Sequence, residues 1–177
     1  MKKLVILIAI VVTPMYMSAQ DAFDSFEFER EVSSVVVTKN MFKLLSQLDL
    51  ESNDIEAKEY LELVNNLDNI KIYSTENEEV GARMDVAVAT YLSQSPELSE
   101  LMRVKDSGKN IKFYSRNGKS DNYVSELLMH LTGNIDGDER TIIMKITGNI
   151  DLKKISKLTS ELNMPGSEEL KNINSEN

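Results

Sequence analysis

The side chains in this sequence that could do chemistry are few. There is no cysteine and a single histidine, His130, so thiol nucleophiles and thiolate metal sites are excluded. His130 stands on an alternating segment and reads as a half-covered sheet histidine rather than a general base. The densest group of oxygen ligands follows it: Asn134, Asp136, Asp138 and Glu139 in LTGNIDGDERTIIMKITGNIDLKKI, Leu131 to Ile155. Such a cluster suggests calcium, but an EF-hand loop needs Gly at its sixth position and Glu at its twelfth. Counted from Asn134, Gly137 is fourth and Lys145 twelfth, and the residues read instead as a turn. No G-x-S-x-G, H-E-x-x-H, P-loop or G-x-G-x-x-G is present. The carboxylate pairs Glu78/Glu79 and Glu168/Glu169 fall on a helix end and the tail, where a solvated surface explains them. No catalytic residue, metal or cofactor is therefore expected.

The pentapeptide TGNID occurs twice in that stretch, at Thr132 and Thr147. An Asp136-Gly137 turn would set Ile135 against Asp138, Leu131 against Ile142, Met129 against Met144 and Leu127 against Ile146. Large apolar side chains then share one face, as burial demands. Each TGNID lies at a strand end, where Gly, Asn and Asp suit turns. A second echo, NIKIYS from Asn69 and NIKFYS from Asn110, precedes segments of different kind and marks no duplication.

The elements around these residues follow from periodicity. VSSVVVT (Val32 to Thr38) reads as a buried strand. Thr38 can cap a helix bearing Met41, Leu44, Leu45 and Leu48 on one stripe, and a second helix follows Glu51–Asp54 with Tyr60, Leu63, Val64 and Leu67 inward. NIKIYS alternates as a strand. A third helix begins near Asn77, with Val80, Met84, Ala87, Val88 and Tyr91 inward, and stops before Pro96. From Leu101 the period becomes two: LMRVK, NIKFYS, YVSELLMHLT and RTIIMKITG are separated by Ser107-Gly108, Asn117-Gly118 and Asp136-Gly137, each suited to a tight hairpin. Asp151 caps a last helix with Leu152, Ile155, Leu158 and Leu162. The expected fold is α+β: a single mixed, largely antiparallel sheet with a C-terminal four-strand meander and helices packed on one face. Its expected divisions are residues 1–19 a signal peptide, 20–31 an acidic lead-in, 32–164 one domain and 165–177 a disordered tail.

The signal peptide rests on Lys2 and Lys3 followed by the apolar run Leu4 to Val12, too short to span about 30 Å of hydrocarbon. Export to the periplasm or the medium is the implied destination, without a stable membrane anchor after cleavage. Losing residues 1–19 removes two lysines and no acid, so the net charge deepens from −9 to −11. A charge of that sign argues against nucleic acid as partner. With no disulfide available, about 155 residues must rely on core burial alone, and a domain of that size suffices.

Alternation also sends Lys71 and Tyr73, then Lys112, Tyr114 and Arg116, away from Ile70/Ile72 and Ile111/Phe113. Arg103, Lys105, His130 and Lys145 can share that side if Met102 and Val104 face the core. A basic, tyrosine-bearing sheet face on an acidic chain is either a plain solvated face or a surface for an acidic envelope protein. The chain thus reads as a non-enzymatic interaction or envelope-signalling module. The alternative is a small-molecule binder or a hydrolase without a recognisable motif.

VVVTKNMFKLLSQL, LMRVKDSGKNIKFYS and ITGNIDLKKISKL resemble the domain of unknown function 4252 family of exported Gram-negative bacterial proteins, over roughly Ser33 to Leu162. The resemblance carries no catalytic residues with it. It implies envelope lipoproteins or secreted proteins whose genes neighbour extracytoplasmic sigma-factor systems, and so a role in envelope stress or signalling. This chain departs from the lipoprotein members in lacking the anchoring cysteine. Mass spectrometry of the exported protein should find a chain starting at Gln20 or Asp21; an intact Met1 on a membrane-bound form would overturn the cleavage.

Overall fold

The computed structural model describes residues 21–48, 62–106, 108–120, 122–135 and 137–154. The expected signal peptide, most of the second helix, the body of the last helix and the tail lie outside them. Within the described residues no helix is long and apolar enough to cross a membrane.

Six strands form one sheet: β1 (Ser33–Thr38), β2 (Leu67–Thr75), β3 (Leu98–Asp106), β4 (Lys109–Asn117), β5 (Tyr123–Ile135) and β6 (Asp138–Asp151). Their spatial order is β1-β2-β6-β5-β4-β3, and every pairing is antiparallel, so no parallel pair makes the sheet mixed. The α+β class and the C-terminal meander β3 to β6 stand as expected. The register of the last hairpin also follows the sequence: Leu127 pairs Ile146, Met129 pairs Met144, Leu131 pairs Ile142 and Ile135 pairs Asp138.

Strand alternation sorts the side chains into two cores. Ile70, Ile111, Phe113, Leu127, Met129, Leu131, Ile142, Met144 and Ile146 project to one face. Phe42 of α1 (Lys39–Leu48) and Leu63 and Val64 of a helical turn at 62–65 close over it. Tyr73, Leu128 and Ile143 project to the other face, where Val80, Met84 and Val88 of α2 (Glu78–Gln94) and Phe23 and Phe26 pack on them. Helical elements therefore cover both faces, and the expectation of one covered face is corrected. The cause is visible in Leu127-Leu128-Met129 and Ile142-Ile143-Met144: central strands buried on both sides need apolar residues at consecutive positions, as in sheets covered twice.

Several local expectations shift for physical reasons. β1 pairs only with β2 and is an edge strand, so its β-branched run is mostly exposed rather than buried. In α1 the inward residue is Phe42, while Met41 and Leu44 are about half exposed. α2 does begin at Asn77, whose side chain accepts hydrogen bonds from the backbone N–H groups of Glu79 and Val80. Asn117-Gly118 is not a two-residue turn: Gly118 N–H donates to Tyr123 C=O and Tyr123 N–H to Ser120 C=O, closing a longer loop.

The two TGNID copies solve one steric problem twice. Gly133 has φ 123° and Gly148 φ 143°. A Cβ at Gly133 would lie 2.0 Å from the carbonyl oxygen of Gly108, and one at Gly148 2.4 Å from that of Asn66. Each copy thus marks where a neighbouring backbone turn crosses a long strand, and only glycine fits. In the first copy the Asn134 side chain accepts from Gly137 N–H, an Asx-type closure of the hairpin. In the second, Asp151 accepts from Lys153 N–H and starts the helical turn at 152–154.

Met129 and Met144 are fully buried side by side. Replacing either by Asp places a lone carboxylate there and should cost several kcal/mol, enough to unfold a marginal domain. Phe28, 88% exposed, should tolerate Asp within about 0.5 kcal/mol in the same denaturation assay.

Candidate functional site

The α2 face carries the residues singled out from the sequence, and the ladders fix their neighbours. Lys71 on β2 lies directly across from Lys145 on β6. Toward the β3 edge of the same face Arg103 lies across from Lys112, and Lys112 across from His130. Like charges directly opposed on one face repel, so both sites need carboxylates.

At Lys71 and Lys145 the N-terminal segment supplies them. A short 3₁₀ turn, Asp24–Phe26, sets Asp21 between the two ammonium groups, 3.4 Å from Lys71 and 3.3 Å from Lys145, and Asp24 also pairs with Lys71. Glu126, from β5, is 3.6 Å from Lys145 and 3.2 Å from Arg116. Tyr91 of α2 donates its hydroxyl proton to Glu126 at 2.7 Å and accepts from Lys145 at 3.0 Å. The Lys145 ammonium also lies 4.5 Å from the Tyr91 ring centroid. Phe23 fills the remaining space, edge-on to Tyr91 with centroids 5.2 Å apart, and is wholly buried.

The electrostatics hold these lysines protonated and these phenols neutral at neutral pH. Burial, the largest influence on Lys145, favours the neutral amine, but the Tyr91 hydroxyl, Asp21 and Glu126 outweigh it and raise the pKa above the ordinary 10.5. Lys71 is raised in the same way, burial being opposed by Asp24 and Asp21. Burial pushes the Tyr91 hydroxyl up as well. At Tyr73 burial, then the charges of Asp24, Asp21 and Glu27, raise the phenol far above its ordinary range. A lysine held protonated is a poor nucleophile, and a phenol held neutral is a poor base.

The predicted face is thus divided. Lys71, Tyr73 and Arg116 belong to the covered half: Tyr73 is fully buried, and Arg116 is tied to Glu97 and Glu126. Arg103, Lys105 and Lys112 remain on the β3–β4 side with Tyr114 half-buried beside them. Arg103 pairs with Glu100 at 2.6 Å, while Lys105 and Lys112 form no ion pair among the described residues. His130 is 2.8 Å from Asp85 of α2; burial lowers its pKa against the opposing pull of that carboxylate.

Sequence reasoning missed Asp21, Phe23, Asp24, Tyr91 and Glu126 as members of the site. The available signal was complementarity: DAFDSF combines acids and phenylalanines opposite a face of lysines and tyrosines. Among the described residues no group of three or more His, Cys, Asp or Glu is placed to hold a metal ion.

Fold and site together define an antiparallel α+β domain whose basic sheet face is half filled by its own acidic N-terminal segment. The chain belongs to the family described as Domain of unknown function (DUF4252), whose profile matches residues 26–158. No curated protein and no solved structure matches it.

Two outcomes follow from the charge network. Lys145→Met removes the cation that Asp21 and Glu126 share, leaving Asp21 with Lys71 and Glu126 with Arg116, and should cost about 3 kcal/mol or more, against under about 1 kcal/mol for the exposed Arg103→Ala. Lysines and tyrosines with raised pKa values hold protons that the unfolded chain releases above pH 10.0 to 10.5. Their contribution is therefore complete at neutral pH and is lost as the pH climbs beyond that range. The urea midpoint, followed by circular dichroism, should decline from about pH 10 upward, and this alkaline decline should be shallower in a folded Lys71→Met variant.

Proposed function

We propose that this chain is an exported, non-enzymatic interaction module that works in the bacterial envelope or outside it, and that the open β3–β4 part of its basic face receives an acidic protein partner. One observation carries the reading. Two like-charge pairs, Lys71/Lys145 and Arg103/Lys112, stand directly opposed on the same sheet face. The first is bridged by Asp21 from outside the sheet; among the described residues the second is ion-paired to Glu100 alone, three residues from Arg103 on its own strand. An incoming carboxylate would relieve the repulsion at the second pair as Asp21 relieves it at the first.

Lys105 adds a further exposed cation, and Tyr114 a half-buried aromatic floor of the type favoured at binding hot spots. On a mature chain of strongly negative charge, such a patch steers an acidic partner and affects association rate more than final affinity. The leader-like N-terminus supports export, and family membership is consistent with an envelope role.

The test reverses Arg103, Lys105 and Lys112 to Glu and leaves Arg116 intact, because Arg116 is held in the covered network. The variant should keep its cooperative melt, since Arg103 and Lys105 are exposed charges that contribute little stability and the half-buried Lys112 forms no ion pair among the described residues. It should lose the partner that the wild type captures by crosslinking in native envelopes at low salt. That partner should also be lost from the wild type near 1 M salt, where the Debye length is about 3 Å. Retention of the same partner by the folded variant would reduce the patch to a solvated face.

A further inference from the structure

The N-terminal segment sits on the sheet as a separate piece. Its backbone hydrogen bonds close within itself: Asp24 N–H to Asp21 C=O, Phe26 N–H to Phe23 C=O and Glu27 N–H to Asp24 C=O. Asp21 N–H donates to the Asp24 carboxylate, and Phe23 N–H to that of Asp21. It adds no strand to the sheet. What holds it is side-chain recognition: Phe23 and Phe26 in the core of the α2 face, and Asp21 and Asp24 on Lys71 and Lys145. This is the pattern of a peptide ligand, two acids and two aromatics three residues apart, bound in a seat of two lysines and two tyrosines.

The connection from this ligand to β1 is short. It runs from Glu27 to Val32, and it carries Phe28, a large apolar side chain left 88% exposed. Its ties to the domain include the Glu29–Arg83 pair on the surface and the Thr75 hydroxyl donating to Glu31 C=O at 2.6 Å.

We propose that this seat is an exchangeable peptide site and that it accepts residues 21–26 of a second copy of this chain, giving a dimer by reciprocal exchange of N-terminal segments. The seat cannot distinguish the two sources, because Lys71, Lys145 and the apolar residues of the α2 face that hold the segment all lie outside the linker, while the turn bonds from Glu27 N–H to Asp24 C=O and Glu29 N–H to Phe26 C=O travel with the segment. Exchange conserves those contacts and alters only the entropy of connection, which is why it is a low-cost route to a dimer. The bare side chain of Phe28, in the stretch that would cross between copies, is the apolar surface such a crossing would cover. A short tether gives the attached segment an effective concentration in the millimolar range, so the wild-type chain is closed on itself when dilute and exchanges when concentrated. The site is separate from the β3–β4 patch of the proposed function: none of Arg103, Lys105 or Lys112 touches the segment.

The experiment uses two full-length variants. A recipient, Phe23→Ala with Asp24→Ala, keeps the seat and loses the ligand. A donor, Lys71→Glu, keeps the ligand and repels it from its own seat. Sedimentation should show a 1:1 heterodimer when they are mixed and monomers when they are apart. A labelled peptide of residues 21–31 should bind the recipient about a hundredfold more tightly than it binds wild type, whose own segment competes. The same peptide with Asp21 and Asp24 changed to Asn should not bind. If either variant fails to fold alone, mixing decides the matter: recovery of one cooperative melt supports exchange, and no recovery rejects it. Peptide binding without a heterodimer rejects the second copy as occupant; no binding of either kind rejects the seat itself. The β3–β4 triple variant should give the wild-type result in all of these measurements.

Discussion

The buried ammonium of Lys145 is the constraint on which the rest of this structure depends. A cation on a central strand, 9% exposed, is tolerated only if opposite charge and hydrogen bonds replace the water it has lost. No single element of the chain provides them. Glu126 comes from the neighbouring strand, Tyr91 from α2, and Asp21 from the segment before β1. The sheet, the helix above it and the N-terminal turn must therefore be in place together, and charge neutralisation couples them as tightly as apolar packing does. The network also explains the location of Phe23: a ring beside Tyr91 excludes the water that would otherwise weaken each of these interactions.

Much of the architecture was legible because it follows from alternation. The register of the β5–β6 hairpin came from one turn and the need to place Leu127, Met129, Leu131, Ile142, Met144 and Ile146 on one side. The helix after Asn77 came from a capping residue and an apolar stripe. Errors arose where a second layer intervened. Reading strands with one solvated face treated Leu128 and Ile143 as incidental, although an apolar residue between two core positions is the mark of a strand buried twice. The same assumption placed Lys71 and Tyr73 outside. Their true surroundings depend on a contact across 124 positions of sequence, between Asp21 and Lys145, and no local period reports such a pairing. The β-branched run of β1 misled for a related reason: composition shows that a segment is a strand, not whether it has one neighbour or two.

The repeated TGNID teaches a similar lesson about motifs. An acidic, glycine-containing repeat invites a ligand-binding interpretation, yet both glycines answer to backbone crowding. Gly133 yields to the β3–β4 turn and Gly148 to the junction between residue 66 and β2. Long strands that pass under other segments need such points, because a side chain at the crossing would push the two backbones apart. The asparagines and aspartates beside them then close turns and cap the next element. Repetition here records a recurring geometric demand of a meander with strands of 13 and 14 residues.

The face that these elements build is uneven in charge, and the unevenness has a direction. At the β2–β6 side, two lysines, an acid pair and a tyrosine form a closed set with little field left over. At the β3–β4 side, Arg103 and Lys105 are exposed and Lys112 is half-buried, and among the described residues Arg103 alone of the three is ion-paired, to Glu100. The overall charge is strongly negative, so the remaining positive field is local, and only a partner that approaches this edge of the sheet experiences it. Long-range repulsion by the rest of the surface disfavours acidic molecules arriving elsewhere. The chain's own N-terminal segment escapes that repulsion because it is tethered. A free acidic molecule has no such advantage, and under the proposed function it would bind where the covered network leaves positive charge exposed. Intramolecular pairing on one half of the sheet would then sharpen the selectivity of the other half.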